Sequence, residues 1–135
     1  MMLDLTLAFG IVVLSQAPAP PPIPGGLWLS RDEGFVVRIE ACGNGFCGIA
    51  VGSPRDQKQP QPDDTCGKTI MKNFAWNAKA GQWDGTMQRP GRPSISGSLT
   101  SADGTLSLKA RLLMMSKTMV FVPFTGSIGA NCQIE

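Results

Sequence analysis

The segment Cys42-Gly43-Asn44-Gly45-Phe46-Cys47 places two cysteines on either side of an Asn-Gly pair, a strong signal for a two-residue β-hairpin turn. If Asn44 and Gly45 form a type I′ turn, Cys42 lies opposite Cys47 at a non-hydrogen-bonded position. Opposed Cα atoms there are about 4.5 Å apart, within the range of about 4.4–6.8 Å that a cystine spans. The segment therefore predicts a β-hairpin closed by a disulfide.

The N-terminal part of the chain has the pattern of a secretion signal. Residues 3–15 form an apolar run whose single charge is Asp4, followed by Ser15-Gln16-Ala17 as a small-x-small cleavage site. The run is too short to cross a bilayer core of about 30 Å as a helix. We expect a signal peptide at 1–17, with an apolar N-terminal arm as the alternative because no Lys or Arg precedes the run, and a Pro/Gly-rich linker at 18–26.

The chain contains four cysteines, an even number that together with an export signal predicts two disulfides. Three pairings are formally open, and we expect Cys42 with Cys47 and Cys66 with Cys132. A zinc site of four thiolates is the alternative. Structural zinc ligands usually come as two pairs of cysteines two to four residues apart, and only Cys42 and Cys47 approximate that spacing.

Residues 27–135 predict a single all-β domain without a helix. Apolar and polar residues alternate at 35–41 and 105–112, which is the period of half-buried strands. Turn signals recur roughly every ten residues. We expect seven or eight strands, at 27–31, 35–42, 46–52, 68–75, 81–89, 94–100, 105–113 and 118–126. Short consecutive strands joined by tight turns favour a small antiparallel, mostly up-and-down β-barrel.

The composition argues against most enzyme classes. The chain has no histidine, which excludes Ser-His and Cys-His nucleophile systems and the usual zinc ligand. Carboxylates remain the acid–base candidates, but each lies at a predicted turn or strand edge, where Asp ordinarily bonds local amides. The sequence therefore predicts a protein that is not an enzyme and has no cofactor or metal; the carboxylate candidates are Asp32, Glu33, Asp63, Asp64 and Asp84.

Four side chains are candidates for binding a ligand, either in the barrel or at its mouth: Trp76, Phe74, Met114 and Met115. Ligand sites in small barrels are apolar with few polar groups, and methionine adapts to irregular ligands. Trp28 and Trp83 are expected to fill the core instead, because an eight-stranded barrel needs large side chains to close its interior.

The segment Gly26-Leu27-Trp28, the double-Cys hairpin and the run Trp83-Asp84-Gly85-Thr86-Met87-Gln88-Arg89-Pro90 resemble the bacterial domain-of-unknown-function family 2147, whose members are small exported proteins. The resemblance covers roughly residues 25–126 and implies a lipocalin-like β-barrel, but no activity. The family's closing Trp-x-Arg is missing, and Ala130-Asn131-Cys132 stands in its place. We expect the Cys66–Cys132 link to replace the packing of that tryptophan.

Together these patterns predict a periplasmic or secreted, monomeric, non-enzymatic barrel that binds a small apolar ligand or an envelope component. The alternative is a protein-interaction module, an inhibitor or accessory factor, that uses loops 53–65 and 74–80. A carboxylate-dependent enzyme is a third reading. No nucleic-acid partner is expected, because the formal charge is only +2 and no basic run is present. No stable membrane span is expected after signal cleavage.

Overall fold

The computed structural model describes residues 19–53 and 65–135. Within them, eight antiparallel strands form a closed barrel in which each strand pairs with the next and the last pairs with the first. This confirms the predicted all-β, up-and-down architecture. The predicted signal peptide at 1–17 lies outside the described residues. The strands are β1 (Gly26–Ser30), β2 (Val36–Cys42), β3 (Gly45–Gly52), β4 (Thr69–Asn77), β5 (Gln82–Met87), β6 (Ile95–Ala102), β7 (Thr105–Leu112) and β8 (Met115–Pro123).

Pairing between β1 and β8 closes the sheet. Leu29 lies opposite Val122, and Ser30 lies opposite Phe121. Two further backbone bonds extend this seam, from the Arg31 amide to the Val120 carbonyl at 2.8 Å and from the Phe124 amide to Leu27 at 3.0 Å. Closure removes both free sheet edges and gives the strands one common interior.

Side chains pack the barrel interior. The Phe46 ring stacks on Phe74 with centroids 5.1 Å apart and meets Trp83 edge to face, also at 5.1 Å. The Phe74 ring lies so close to the chain that a Cβ on Gly85 would approach it to 2.5 Å. These contacts place Trp83 in the core, as predicted, with Trp28 half-buried against it. The buried core consists of Val37, Ile39, Phe46, Ala50, Ile70, Met71, Phe74, Trp83, Leu99, Leu106, Leu108, Met119 and Phe121.

The last part of the predicted linker lies against the barrel. Ile23 packs on the core, and the Trp28 indole N–H donates a hydrogen bond to the Pro24 carbonyl at 2.9 Å. Residues 23–26 therefore belong structurally to the barrel and do not act as a free spacer.

The β2–β3 turn is displaced by one residue from the predicted one. Cys42 pairs with Gly45, so the two central residues are Gly43 and Asn44, and Gly43 has a φ of 61°. Glycine at the first central position with positive φ is typical of a type II′ turn. Gly45 is the first residue of β3. Only glycine fits there, because a Cβ would come within 1.8 Å of the Phe74 carbonyl oxygen. Cys42 and Cys47 are thus diagonal neighbours, and their Cα atoms are 5.5 Å apart.

The C-terminal tail covers the outside of the barrel. The alternation at 35–41 puts Val36 on the opposite face from Val37 and Ile39, yet Val36 is fully buried, because β2 shifts register after it and Ile134 lies beside its strand partner Gly52. The tail includes a short 3-10 turn at Ala130–Cys132 and a parallel bridge between Ser53 and Gln133. The Cys66–Cys132 disulfide, with Cα atoms 5.9 Å apart, holds the tail in place.

Both predicted disulfides are present, and no cysteine among the described residues is free. Replacing Cys66 and Cys132 by Ser should lower the free energy of unfolding by about 4 kcal/mol, because the bridge closes a long loop; the same change at Cys42 and Cys47 should cost about 2 kcal/mol. Urea denaturation of the two double variants measures the difference. Equal losses would contradict the loop-length argument.

The close approach at Gly45 predicts a large cost for a single methyl group. Gly45→Ala should lower the free energy of unfolding by about 1–3 kcal/mol, because the methyl group forces β3 away from β4. Gly25→Ala is the matched control: its nearest neighbour would be the Ile39 carbonyl at an ordinary 3.6 Å. Comparable denaturation midpoints for the two variants would show that the backbones of β3 and β4 are not in tight contact.

Candidate functional site

The β7–β8 hairpin ends in a patch that we call the apolar tip, formed by Leu112, Leu113, Met114 and Met115. Leu113 and Met114 are fully exposed, Met115 is 74% exposed and Leu112 is 48% exposed. These are the large exposed hydrophobic side chains among the residues that the structure describes. Contiguous exposed apolar groups of this kind mark interaction surfaces more often than scattered ones do.

The hairpin that carries the apolar tip projects beyond the neighbouring strand β1. The last backbone bond between that side of the barrel and β8 joins Arg31 to Val120, and residues 111–118 are all exposed. At a rise of about 3.3 Å per residue, the tip stands roughly 15 Å beyond that bond on the β1 side, whereas on the other side β6 pairs with β7 up to Arg111. The apolar tip is therefore convex and separate from the core.

The turn at the apolar tip has an unfavourable backbone conformation. Leu112 pairs with Met115, and Leu113 at the first central position has a φ of 49°. Gly43 takes the equivalent position in the β2–β3 turn. A left-handed conformation costs a non-glycine residue about 1–2 kcal/mol. Leu113 thus occupies a turn position at which glycine would make the protein more stable and more soluble.

Charged side chains surround the barrel end that bears the apolar tip. Glu33, in the β1–β2 loop, accepts a hydrogen bond from Lys117 of β8 and forms a longer ion pair with Arg89 at 3.5 Å. Arg111 directly precedes the apolar tip and is exposed. Among these described residues three cations accompany one carboxylate, which gives this part of the rim a positive charge.

The four predicted ligand-binding residues do not form one site. Phe74 is fully buried in the core, and Trp76 is half-buried with its ring 5.3 Å from that of Trp83. Met114 and Met115 lie in the apolar tip, at the opposite end of the barrel from the β4–β5 turn. Of the two predicted interaction loops, 54–64 lie outside the described residues, and residues 74–77 of the second belong to strand β4.

Asp84 is the centre of a polar network on the outer face of β5. It accepts hydrogen bonds from Asn77 and Gln82, each at 2.8 Å, and from the Ser98 hydroxyl at 3.0 Å. The hydrogen bond from Asn77 is the largest influence and lowers the pKa of Asp84 below its ordinary value of 3.8; partial burial opposes it, and Gln82, Ser98 and Arg111 reinforce it. This carboxylate joins three strands and is held ionised.

The carboxylates do not converge on a common cleft where the structure describes them. Glu33 lies at the rim in ion pairs and Asp84 lies on the side of the barrel, while Asp63 and Asp64 fall outside the described residues. Within residues 19–53 and 65–135, no group of three or more His, Cys, Asp or Glu side chains is arranged to hold a metal ion. The same residues contain no helix long and apolar enough to span a bilayer.

Sequence reasoning placed Met114 and Met115 in the barrel or at its mouth and missed the exposed apolar tip as a whole. The available signal was the run Leu112-Leu113-Met114-Met115, which breaks the alternation of β7 at the point where a hairpin must turn. Four apolar residues in succession cannot all face the barrel interior, because successive side chains of a strand point to opposite faces of the sheet.

No protein-family model matches this chain, no curated protein matches it, and no solved structure matches it. The resemblance to domain-of-unknown-function family 2147 therefore stays a prediction. The two disulfides themselves indicate an oxidising compartment.

The network around Asp84 predicts a pH dependence. A carboxylate with a lowered pKa in the folded state stabilises the fold above its unfolded pKa, and this stability is lost as pH falls through the folded value. Asp84→Asn should therefore reduce stability at pH 7 by about 0.5–1 kcal/mol, a modest amount because the group is partly solvent-exposed. The difference should disappear in strong acid, as measured by urea denaturation across pH. Asp32→Asn, in an exposed turn, is the control; a pH-independent loss at Asp84 would contradict the assignment.

Proposed function

We propose that this protein is an exported, non-enzymatic β-barrel that attaches through its apolar tip to an anionic membrane surface of the cell envelope. The observation that carries the proposal is the full exposure of Leu113 and Met114 at the end of a projecting hairpin. The packed interior supports binding at the surface of the barrel in preference to its lumen. Export is supported by the N-terminal signal pattern and by the disulfides.

The shape of the apolar tip favours a lipid surface over a protein groove or a small ligand. Small-molecule sites are concave and enclose their ligand, whereas this patch is convex and enclosed by nothing among the described residues. The four apolar residues are flanked by Arg111 and Ser116, so the apolar segment is short. Its length suits insertion of about 5–10 Å, to the boundary between headgroups and acyl chains.

The energetics agree with reversible attachment. Full burial of a Leu or Met side chain contributes about 1.5–3 kcal/mol, and the polar backbone of the turn opposes deep insertion. Each Lys or Arg held close to an anionic leaflet adds about 1 kcal/mol. Arg111 and Lys117 lie directly behind the apolar tip, where insertion brings them to the level of the lipid phosphates.

The backbone of Leu113 supports a functional role for the apolar tip. Its positive φ and its complete exposure both destabilise the free protein, and neither is offset by a contact among the described residues. Insertion of the Leu113 side chain into an apolar phase would remove its exposure to water and would offset the strain of its backbone. A residue chosen for fold stability alone would be Gly or Asn.

Removing the apolar side chains should affect binding and stability in opposite directions. The double variant Leu113→Asn, Met114→Ser should bind phosphatidylglycerol-containing vesicles at least about tenfold more weakly, because most of the inserted apolar area is lost. Its free energy of unfolding should rise by up to about 1 kcal/mol, since Asn tolerates positive φ better than Leu. Vesicle co-sedimentation and urea denaturation measure the two effects.

Ala80→Ser, in the hairpin turn at the opposite end of the barrel, is the control and should leave vesicle binding unchanged. Binding of the natural sequence should be weaker to pure phosphatidylcholine vesicles and should decrease with salt, because the positive rim is screened. Failure of the natural sequence to sediment with anionic vesicles would overturn the proposal. So would equal sedimentation of the tip variant, and a protein-interaction surface would then be the better explanation.

A further inference from the structure

A groove of about 660 Å³ lies on the barrel wall between the β2–β3 hairpin disulfide and the segment that follows β5. It is separate from the apolar tip, and none of the sequence-predicted ligand-binding residues lines it. Its polar side chains come from the start of β4 and from the β5–β6 connection. They include Lys68, Lys72, Asn73, Gln88 and Arg89.

The lining of this groove is cationic. Three of its side chains are Lys or Arg, and no Asp or Glu among the described residues lines it. Lys72 donates to the Gln88 side-chain oxygen at 3.1 Å, which holds its ammonium group over the groove. Arg89 also forms the 3.5 Å pair with Glu33, but Lys117 binds the other oxygen of that carboxylate more closely. Arg89 therefore keeps donors available to a ligand.

A break in the sheet accounts for the groove. The register between β4 and β5 shifts between Lys72 and Ala75, and Asn73 at this irregularity has a φ of 54°. β-bulges bend a strand and redirect side chains, and they occur frequently at functional sites. The backbone amide of Gln88 bonds the Ile70 carbonyl at 2.8 Å, which fixes the opposite side of the groove.

We propose that this groove binds the phosphate group of a phosphorylated ligand. Three cations with uncharged amide donors among them match a compact dianion, since charge-assisted hydrogen bonds to phosphate are the strongest that these side chains make. The volume exceeds that of a phosphate ion alone and is in the range of small-molecule sites, so the groove has room for a carrier group beside the phosphate. A phosphorylated lipid headgroup and a soluble phosphate monoester share this chemistry.

The proposal is tested first with a soluble probe, glycerol 3-phosphate, in an amide NMR titration of the full oxidised protein. Saturable shifts are expected at Lys72, Asn73, Gln88 and Arg89, with sodium chloride at matched ionic strength as the reference. Lys72→Gln and, separately, Arg89→Gln should each weaken binding about tenfold, the loss of one charge-assisted hydrogen bond. Lys109→Gln and Lys79→Gln, which lie outside the groove, should leave the affinity unchanged.

The titration distinguishes specific phosphate binding from non-specific screening of charge. Equal shifts with chloride, or undiminished binding by both groove variants, would overturn the proposal, because either result means non-specific screening. Two groove variants are used so that, if one fails to fold, the affinity of the other still tests the proposal. Loss of affinity in either variant with native-like spectra, together with unchanged Lys109→Gln protein, would support it.

Vesicle binding then shows whether the group attached to the phosphate is a lipid. It is a lipid if phosphatidic acid vesicles bind more tightly than phosphatidylserine vesicles of equal charge and Lys72→Gln abolishes this preference. It is a soluble group if only the soluble phosphate monoester binds. Either result supports phosphate recognition. The tip variant Leu113→Asn, Met114→Ser should retain glycerol 3-phosphate binding in full. Failure of the membrane proposal and failure of the phosphate proposal are therefore distinguishable.

Discussion

The pairing of β1 with β8 is the constraint on which the rest of the structure depends. Without it, two strands would present open edges and the side chains of all eight strands would lack a common enclosed interior. With it, a five-residue strand is enough to complete the barrel. The loops and hairpin turns at the two ends are then free to vary, because none of them is needed to close the sheet.

Closure also supports placing both proposed binding surfaces outside the barrel. An interior packed by Phe46, Phe74 and Trp83 leaves the outer surface and the ends of the barrel for recognition. Glu33 lies between the two proposed surfaces, since it contacts both Arg89, which lines the cationic groove, and Lys117, which lies behind the apolar tip. The two proposed surfaces are therefore joined through one carboxylate, although each is tested on its own.

Sequence patterns predicted the fold well where one face of a strand is buried and where turns contain glycine. Thus β7 and the Asp103-Gly104 turn lie at their predicted places, with positive φ at both turn residues. Gly43-Asn44-Gly45 was ambiguous because it contains two acceptable turns, and contact with Phe74 decides between them. The turn at Leu113 has no Gly, Asn or Pro, so β8 was predicted to begin three residues too late. Burial of Val36 depends on a distant tail that no local pattern reveals.

The order of the strands has a consequence for folding. Seven of the eight pairings join neighbours in the sequence, whereas the β1–β8 seam joins Leu29 to Val122 across most of the chain. Short-range hairpins form quickly, but contacts between distant residues require the entropy of a long loop. The seam is therefore expected to be the last part of the barrel to assemble and the first to open. Until it forms, β1 and β8 are the sites at which two incompletely folded copies would exchange strands.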